Sequence, residues 1–476
     1  AFAQPNVSVS AHVVSADDIE GNSVITRKIN LRNNATPIVS LQNIKTKPLA
    51  KLPHNAKASN SFEPDIIVGM ERKKPVGFVK IPAYCILNGQ VEMLVSYDLS
   101  ITEQQSSGSN TAQRPTTVTN SVLASGTWYK IAVPNRGIFK IDYNFLQSIG
   151  ANPGSINPAN IRVYGNGGTV LPEMASSNQP DDLIENAVVV NAAGSTFGTG
   201  DYVLFYANGP VLWEKDSVNQ RFKHTNNYYE NYSYYFLNFD LGPGKRIQTE
   251  NANGAATHTV TTFNDYQVTD LDSVNVGKIG KVFWSHRMTS VYAPSLTQSL
   301  DYVLGPTVGP VHVEAHVGNV SGNSGHALKL TVSPQTSPAT NLDFSLGSQG
   351  NGHILEKTDQ FSFTPTANNI NIQLKYFPNG EGVAYLDYLR LNYKRQLTFN
   401  AGQLNFRDWG SAGLGAGVNA AFKIQTGNSN IKVWEITNPL EPVALNGTGT
   451  GSDYTVVREG NRLREFIAYD GSQFST

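Results

Sequence analysis

The sequence contains one cysteine, four methionines and no surplus of either charge. A single cysteine excludes a framework of internal disulfides. The 36 basic and 37 acidic side chains nearly cancel and form no long block of one sign, so we expect no nucleic-acid partner. No apolar run approaches the roughly 20 residues of a membrane-spanning helix. These absences exclude a disulfide scaffold and argue against both a nucleic-acid-binding protein and a helical membrane protein.

Catalytic signatures are also missing from the sequence. The cysteine, Cys85, lies in the apolar segment YCIL with no histidine nearby, so we predict a packing residue rather than a nucleophile. No Ser, His and Asp and no Cys and His occur in a recognisable catalytic setting. The sequence therefore assigns no catalytic residue, and whether the chain is an enzyme stays open.

The abundant residues are those of strands and turns. Tyr, Phe, Val, Thr, Asn and Gly are frequent, while charged residues make up only 15%. Strand-like segments recur about every ten residues from 255 to 396, which indicates a two-sheet sandwich of jelly-roll type. We predict an all-β, mainly antiparallel, multidomain fold with a jelly-roll-like β-sandwich and one or two short helices.

Changes in composition along the chain predict its organisation. The predicted segments are an N-terminal β domain (1–102), a polar linker (103–120), a β-rich domain with one short helix (121–254), the jelly-roll-like sandwich (255–396) and a further β segment (397–476).

Two local signals are specific within this organisation. Asn88-Gly89 between alternating runs predicts a β-hairpin. Asp142 is placed to cap a helix that Gly150 and Pro153 would end.

A glycine-rich segment, IRVYGNGGTVLPE at 161–173, resembles the start of a phosphate loop. Such a loop needs a helix N-terminus directly behind it, but here an apolar run and Pro172 follow. We therefore favour a turn in which the glycines supply positive φ over a nucleotide site.

Histidines and acidic residues provide the candidate metal ligands. His312 and His316 in HVEAHV have a zinc-like spacing on a helix, but on a strand they share one face with Glu314, too far apart for one ion, so we favour a solvated sheet face. An acidic turn, Asp181-Asp182 with Glu185, is a weaker alternative for calcium.

Asp387 is the candidate metal residue, because it lies among large hydrophobes on the last strand of the predicted sandwich. A buried carboxylate must be paired or bound to a cation. We favour a salt bridge to Arg390 or Arg395 as the partner of this carboxylate. Jelly-roll carbohydrate-binding modules resemble this stretch and often carry a structural calcium through such an aspartate, so calcium is the one cofactor we consider.

A run of aromatic residues precedes the predicted sandwich. It would serve either as a sugar-stacking platform or, as we favour, as cross-strand aromatic pairs within a sheet. Its members are Tyr228, Tyr229, Tyr232, Tyr234, Tyr235 and Phe236.

Six motifs in one order carry a resemblance to a known family. They are GTWYKIAVPNRGIFKID, IRVYGNGGTVLPE, DDLIENAVVV, GDYVLFYANGPVLW, HTNNYYENYSYYFLN and YLDYLRLNYKRQL. Over roughly residues 60 to 476 the chain resembles the N-terminal, non-catalytic region of the PorU family, the gingipain-related sortases of the type IX secretion system of Bacteroidetes.

The resemblance implies a function whose catalytic residues lie outside this chain. Family members are cysteine peptidases that remove the C-terminal sorting domain of secreted cargo and attach the cargo to anionic lipopolysaccharide. Their catalytic His and Cys lie in a downstream domain, toward which segment 397–476 would lead, and Cys85 matches neither motif. The resemblance implies a scaffold and docking region for an outer-membrane β-barrel partner. A glycan- or lipopolysaccharide-binding sandwich module and a structural adhesin are the alternatives.

The two ends of the sequence bear on localisation. Ala1-Phe2-Ala3-Gln4 is similar to the end of a bacterial signal peptide, and no N-terminal cysteine is present for a lipid anchor. The final Gln473-Phe474-Ser475-Thr476 looks like a cut rather than a natural end. We expect an exported protein associated with the cell surface and the outer membrane.

Overall fold

The fold is described from a computed structural model. It covers the chain apart from residues 1–5, 16–17, 21–22, 32–34, 54–55, 57, 60, 72–73, 88–89, 106–120, 169, 171–179, 277–281, 292–295, 321–324, 335–340, 347–353, 429 and 476. The described residues are mainly antiparallel strands with two short α-helices, which confirms the predicted fold class. Among them, no helix is long and apolar enough to cross a membrane. The chain divides into two compact units, residues 1–119 and residues 120–476.

The residues that the structure describes in the first unit form two four-stranded sheets, with strand orders β1-β8-β4 (β7 also pairs with β8) and β2-β3-β6-β5. Its strands are β1 (Asn6–Val13), β2 (Ile19–Glu20), β3 (Val24–Asn30), β4 (Ala35–Leu49), β5 (Asp65–Glu71), β6 (Lys74–Pro82), β7 (Tyr84–Leu87) and β8 (Gln90–Gln105).

The predicted hairpin is present in this unit, because Leu87 pairs with Gln90, although residues 88–89 lie outside the described residues. The predicted linker begins inside β8, and most of it is also outside the described residues. Cys85 is fully buried in the unit's apolar core.

In the first part of the second unit, the described residues form one α-helix and nine strands. They are β9 (Tyr129–Val133), β10 (Gly137–Asp142), α1 (Tyr143–Ser148), β11 (Arg162–Tyr164), β12 (Glu185–Asn186), β13 (Val188–Asn191), β14 (Tyr202–Ala207), β15 (Val211–Asp216), β16 (Arg221–Asn226) and β17 (Ser233–Asn238). Sheets β12-β11-β17-β9 and β10-β14-β13 enclose an apolar core, while β15 and β16 form a separate hairpin. As predicted, the Asp142 carboxylate caps the helix by accepting from the backbone N–H of Phe145 at 2.9 Å.

The strands from 262 to 396 form the predicted two-sheet sandwich. They are β20 (Thr262–Asp270), β21 (His286–Thr289), β22 (Thr297–Val303), β23 (Val311–Val320), β24 (His326–Ser333), β25 (Asn341–Leu346), β26 (Leu355–Phe363), β27 (Asn369–Phe377) and β28 (Val383–Gln396). One sheet has the order β20-β28-β23-β26 with β21 added on β28, and the other has the order β22-β27-β24-β25. Alternate residues of these strands point inward and form one apolar core.

The last segment has an apolar core of its own, and its sheets include two strands that precede the sandwich in the sequence. These are β18 (Gln248–Asn251) and β19 (His258–Val260), which join β29 (Thr398–Phe399), β30 (Gln403–Arg407), α2 (Trp409–Ala412), β31 (Asn419–Thr426), β32 (Lys432–Glu435), β33 (Val443–Asn446), β34 (Thr448–Thr450), β35 (Asp453–Glu459) and β36 (Glu465–Tyr469). The sheets are β18-β33-β32-β36-β30 and β19-β31-β35-β34, with β29 on β31. The boundary predicted near residue 254 falls between β18 and β19, so the sandwich is inserted between strands of this last segment.

Candidate functional site

A β-bulge on strand β28 places two polar residues side by side on the outer face of the sandwich. His316 pairs with Tyr388, but its neighbour Val317 pairs with Leu386, so Asp387 is the extra residue. A bulge of this kind turns a side chain out of the regular alternation. Asp387 and Tyr388 consequently both face outward, while the flanking leucines of β28 stay in the core.

The bulge brings Asp387 next to two aspartates from another part of the chain. Asp270 ends strand β20 opposite Tyr388, and Asp272 follows it with a positive φ of 46°. Carboxylate oxygens of Asp270, Asp272 and Asp387 all lie within 4.8 Å of one another. We call these three residues the aspartate cluster.

Histidines and an amide hold the aspartate cluster in place. His316 Nδ1 lies 2.7 Å from Asp387 Oδ2, and His224 Nε2 lies 2.9 Å from Asp270 Oδ2. Asn226 Nδ2 donates to Asp272 Oδ2 at 3.0 Å. These contacts fix the positions of the three carboxylates.

His224 links the cluster to the neighbouring arginine. Its Nδ1 lies 3.1 Å from Nη1 of Arg390, and its Nε2 faces Asp270, so the ring is held between a guanidinium and a carboxylate.

The electrostatics of the cluster favour a proton or a cation. Burial, followed by repulsion from Asp270, raises the pKa of Asp272 to about 6, against the opposing hydrogen bond from Asn226. Burial also raises the pKa of Asp387, although the hydrogen bond from His316 lowers it. Like charges at this spacing do not all ionise without compensation.

The donor set fits a hard cation such as calcium. Calcium binds carboxylate oxygens at 2.3–2.6 Å, so oxygens that share one ion lie at most about 5.2 Å apart. The spacing within 4.8 Å meets this limit. Asp387, Asp270 and Asp272 are thus able to hold one ion, and Asn226 already orients the third carboxylate.

The β15–β16 hairpin covers part of this sheet face, and clefts lie between the hairpin and the sheet. The backbone of Phe222 on β16 exchanges hydrogen bonds with the side chain of Asn392 on β28, at 2.7 and 3.0 Å. A cleft of about 550 Å³ beside the hairpin is lined by all three aspartates and by Tyr228. A volume of this size is typical of small-molecule sites.

The row of His312, Glu314 and His316 is confirmed, because these residues point outward while 311, 313, 315 and 317 are buried. The two histidines have separate partners, Asp387 for His316 and Ser362 for His312. The face is partly covered by the hairpin rather than solvated, because the hairpin docks from a distant segment.

The predicted salt bridge from Asp387 to Arg390 or Arg395 is wrong. Arg390 pairs with Glu314, which lies opposite it on β23, and Arg395 pairs with Asp265 at 2.8 Å. Both arginines thus form salt bridges with carboxylates on neighbouring strands, and Asp387 forms a hydrogen bond with His316 instead.

The aromatic run divides between a sheet and a loop. Tyr235 is buried on β17, where its cross-strand neighbour is Ile131, and its ring packs against Phe205 of the other sheet, so this contact joins two sheets and is not a cross-strand aromatic pair. Tyr229 and Tyr232 are exposed, and Tyr228 borders the cleft of the aspartate cluster. The structure therefore brings Tyr228 and Asp387 together and leaves Tyr232 outside the residues lining that cleft.

The other candidate positions have structural roles. Asp182 accepts hydrogen bonds from the backbone N–H groups of Val122 and Leu183, which accounts for the acidic turn without a metal. Gly167 and Gly168 adopt φ of +90° and +70°, as predicted for a turn. A Cβ at Gly168 would lie 1.9 Å from the Cβ of Ser233.

Sequence reasoning missed Asp270, Asp272 and His224. The signal that could have found the two aspartates is the pair in TDLDS, at the end of the first strand of the sandwich. Nothing local links that pair with Asp387 or with a histidine on a hairpin.

Comparison with solved structures identifies a related fold. Dimeric latent PorU from Porphyromonas gingivalis matches 75% of this chain with a TM-score of 0.61 and 22% sequence identity. This chain has a PorU-like fold. The match covers 33% of the PorU chain, so the present sequence spans about a third of its length.

Other structural matches are much weaker. The carbohydrate-binding module TmCBM61, solved in complex with β-1,4-galactotriose, covers 28% of this chain, and this chain matches 86% of it, at 14% identity and a TM-score of 0.18. Infectious bursal virus derived T=1 particles give 11% identity and a TM-score of 0.17, with 99% of this chain and 80% of that chain covered. No family model and no curated protein matches the sequence.

Proposed function

We propose that this chain is a non-catalytic portion of a type IX secretion sortase and supports its peptidase domain. The observation that carries the proposal is the PorU-like fold over three quarters of the chain. The state of Cys85 is in keeping with it, because burial raises the pKa of this thiol to about 11, which leaves it protonated and unreactive.

The proposal includes a location and partners. The chain is exported to the cell surface, where it docks the enzyme on an outer-membrane β-barrel protein of the secretion system. Cargo proteins with C-terminal sorting domains are the substrates of the peptidase domain. Anionic lipopolysaccharide is the acceptor to which the cargo becomes attached.

Two experiments test the scaffold role. Reading the gene past the codon for Thr476 should show a His-Gly pair and a later cysteine in the same frame, whereas an immediate stop codon contradicts the proposal. The purified chain should not cleave a cargo protein that carries its sorting domain. Cleavage that disappears in Cys85→Ala would place a nucleophile here and refute a non-catalytic role.

A second candidate is a calcium-dependent glycan-binding module. The specific observation that favours it is that Tyr228 and the aspartate cluster line the same cleft. An aromatic ring stacks on a sugar face, while carboxylates and a bound cation contact hydroxyl groups. In this candidate Asp387, Asp270 and Asp272 bind a structural calcium.

Thermal unfolding with and without calcium tests the cation site. Calcium at 100 times its Kd would stabilise the folded chain by about 2.7 kcal/mol and raise its Tm. Asp387→Asn should abolish this rise, whereas Asp343→Asn, an exposed aspartate on the other sheet, should keep it. An unchanged Tm in the wild type, or equal loss in both variants, contradicts the site.

Binding to a glycan array tests the cleft itself. Tyr228→Ala should weaken any bound glycan by about tenfold, since stacking contributes about 1–3 kcal/mol per ring in comparable contacts. Tyr232→Ala is the matched control, because Tyr232 is exposed and does not line the cleft. Binding that survives Tyr228→Ala and Asp387→Asn removes this cleft as the glycan site, whereas no binding to any glycan removes this candidate and leaves a scaffold or a structural adhesin.

A further inference from the structure

A second, smaller cleft adjoins the cleft of the aspartate cluster. It has a volume of about 230 Å³ and lies between the β15–β16 hairpin and the same outer face of the sandwich. Lys223, Glu314 and Arg390 line both clefts, which makes the two spaces neighbours across a shared wall. Arg221 and His312 line only the smaller one.

The charges that line the smaller cleft do not cancel. Its lining contains three cations and two carboxylates. Lys223 pairs with Asp216 at 3.0 Å, and Arg390 pairs with Glu314. Each carboxylate thus has its own cation, and the surplus positive charge belongs to the remaining cation, Arg221.

Arg221 is held in position by neutral groups. Its Nη1 donates to Gln360 Oε1 at 2.9 Å, and its Nη2 lies 3.2 Å from His312 Nδ1. Among the described residues, no carboxylate forms an ion pair with Arg221. A guanidinium presents five N–H groups, and these two contacts use only part of them.

His312 reinforces this arrangement as a hydrogen-bond acceptor. Its Nδ1 accepts a hydrogen bond from Arg221 and also lies 2.6 Å from Ser362 Oγ. Because a guanidinium only donates, Nδ1 carries no proton and the imidazole is neutral. Burial, followed by the charge of Arg221, accordingly lowers the pKa of His312. The other charged groups that line the same cleft are Asp216, Lys223, Glu314 and Arg390.

We propose that Arg221, oriented by His312 and Gln360, forms a subsite for the anionic group of an acidic saccharide. The anion is a carboxylate or a phosphate, both of which a guanidinium binds through paired hydrogen bonds. The subsite extends the second candidate function above and rests on it for the saccharide part of the ligand.

Size and surroundings favour a saccharide over a peptide. A space of about 230 Å³ is below the usual 300–1,000 Å³ of small-molecule sites, so it fits one substituent of a ligand rather than all of it. The adjoining cleft offers Tyr228 for the sugar ring and carboxylates for its hydroxyl groups. Apolar side chains, which would anchor a peptide, are few in both linings.

Calorimetry on the full chain with simple probes tests the subsite. Glucuronate and glucose 1-phosphate should bind more tightly than glucose, and the stronger of the two identifies carboxylate or phosphate as the anion. Arg221→Gln should weaken the acidic probe by about tenfold or more, while Arg221→Lys should retain part of the affinity because it keeps the charge. Lys375→Gln, which removes an exposed cation from the other sheet, should have no effect.

A second readout separates binding at Arg221 from general loss of structure. An anion on the guanidinium reduces its repulsion of a protonated imidazole, so glucuronate or inorganic phosphate should raise the pKa of His312 in an NMR titration of the wild type. The shift should vanish in Arg221→Gln, whose folding is checked by an unchanged spectrum elsewhere.

The outcomes distinguish the subsite from the function on which it rests. Equal binding of glucose and glucuronate, in the wild type and in Arg221→Gln, overturns the subsite but leaves glycan binding standing. Binding of inorganic phosphate at Arg221 without binding of any sugar supports the anion site and refutes its saccharide ligand. N-acetyl-dialanine that binds as tightly as glucuronate overturns the saccharide assignment in favour of a peptide carboxylate.

Discussion

Replacing Glu465 by glutamine tests whether a buried charge network holds the β15–β16 hairpin in place. Glu465 on β36 lies 2.9 Å from the Nζ of Lys215 on the hairpin, 3.4 Å from Arg136 and 3.8 Å from Arg407. The side chain of Glu465 is only 15% exposed, and that of Arg407 only 1%. The network therefore joins the hairpin, the turn before β10 and the last sheet through one carboxylate.

The pKa of Glu465 gives the size of the effect. Burial alone would raise this pKa, but the charges of Arg407, Arg136 and Lys215 outweigh it and hold the pKa at about 2. Against an unfolded value near 4.3–4.5, the difference corresponds to about 3 kcal/mol of stability at neutral pH. Since the folded pKa is the lower one, this contribution is present above about pH 4.5 and is lost as the pH falls toward 2.

Urea unfolding at two pH values measures this contribution. Glu465→Gln should cost about 3 kcal/mol at pH 7, because three cations lose their shared carboxylate. At pH 3.5 the difference from the wild type should shrink by about 1.5 kcal/mol, since protonation already weakens the wild-type network. Tryptophan fluorescence reports the transition, because Trp213 on the hairpin stacks on Tyr266 with ring centroids 3.8 Å apart.

Glu441→Gln is the matched control. Glu441 pairs with Lys245, but its side chain is 52% exposed, so its loss should cost no more than about 0.5 kcal/mol. Equal destabilisation by the two substitutions would refute the network as a source of stability. A difference from the wild type that stays constant between pH 7 and pH 3.5 would refute the lowered pKa.

Two further substitutions and one thiol-labelling reaction test local features. Gly168→Ala should destabilise the chain by about 2–4 kcal/mol in urea unfolding, because it adds a Cβ at φ +70° that meets Ser233. Asp142→Ala should cost about 1 kcal/mol in the same measurement through loss of the helix cap on Phe145. The thiol of Cys85 should react with a disulfide reagent at pH 8 only after unfolding, because burial raises its pKa to about 11.

For each of these three predictions, one specific result would contradict the reasoning. A neutral Gly168→Ala would mean that the turn adapts to a side chain. No loss with Asp142→Ala would assign the start of α1 to packing rather than to capping. Rapid labelling of native Cys85 would show an accessible thiolate and would reopen the question of a nucleophile in this unit.

Local patterns in the sequence predict much of this fold. Alternation in VHVEAHV places His312, Glu314 and His316 on one face, and the cap residue Asp142 marks the helix start, because both depend on residues close in sequence. The sandwich strands follow from the same alternation.

The site depends on contacts that sequence spacing does not encode. The sequence predicts Asp387 as a carboxylate in need of a partner, but its neighbours Asp270 and Asp272 lie far earlier in the sequence, at the end of the adjacent strand β20 and just after it. The salt bridge to Arg390 was wrong because strand register places Glu314 opposite that arginine. Register and the bulge at Asp387 are tertiary properties, since they arise when strands pair.

The charge pattern of the polar face under the hairpin is the physical basis of the proposed binding there. Three carboxylates within 4.8 Å, and a half-buried guanidinium that has no carboxylate partner among the described residues, both cost free energy of desolvation and repulsion. Apolar or solvated groups at these positions would avoid that cost. A bound cation would offset the repulsion among the carboxylates and a bound anion would pair the guanidinium, so the two proposed ligands act on the two unfavourable features of this face.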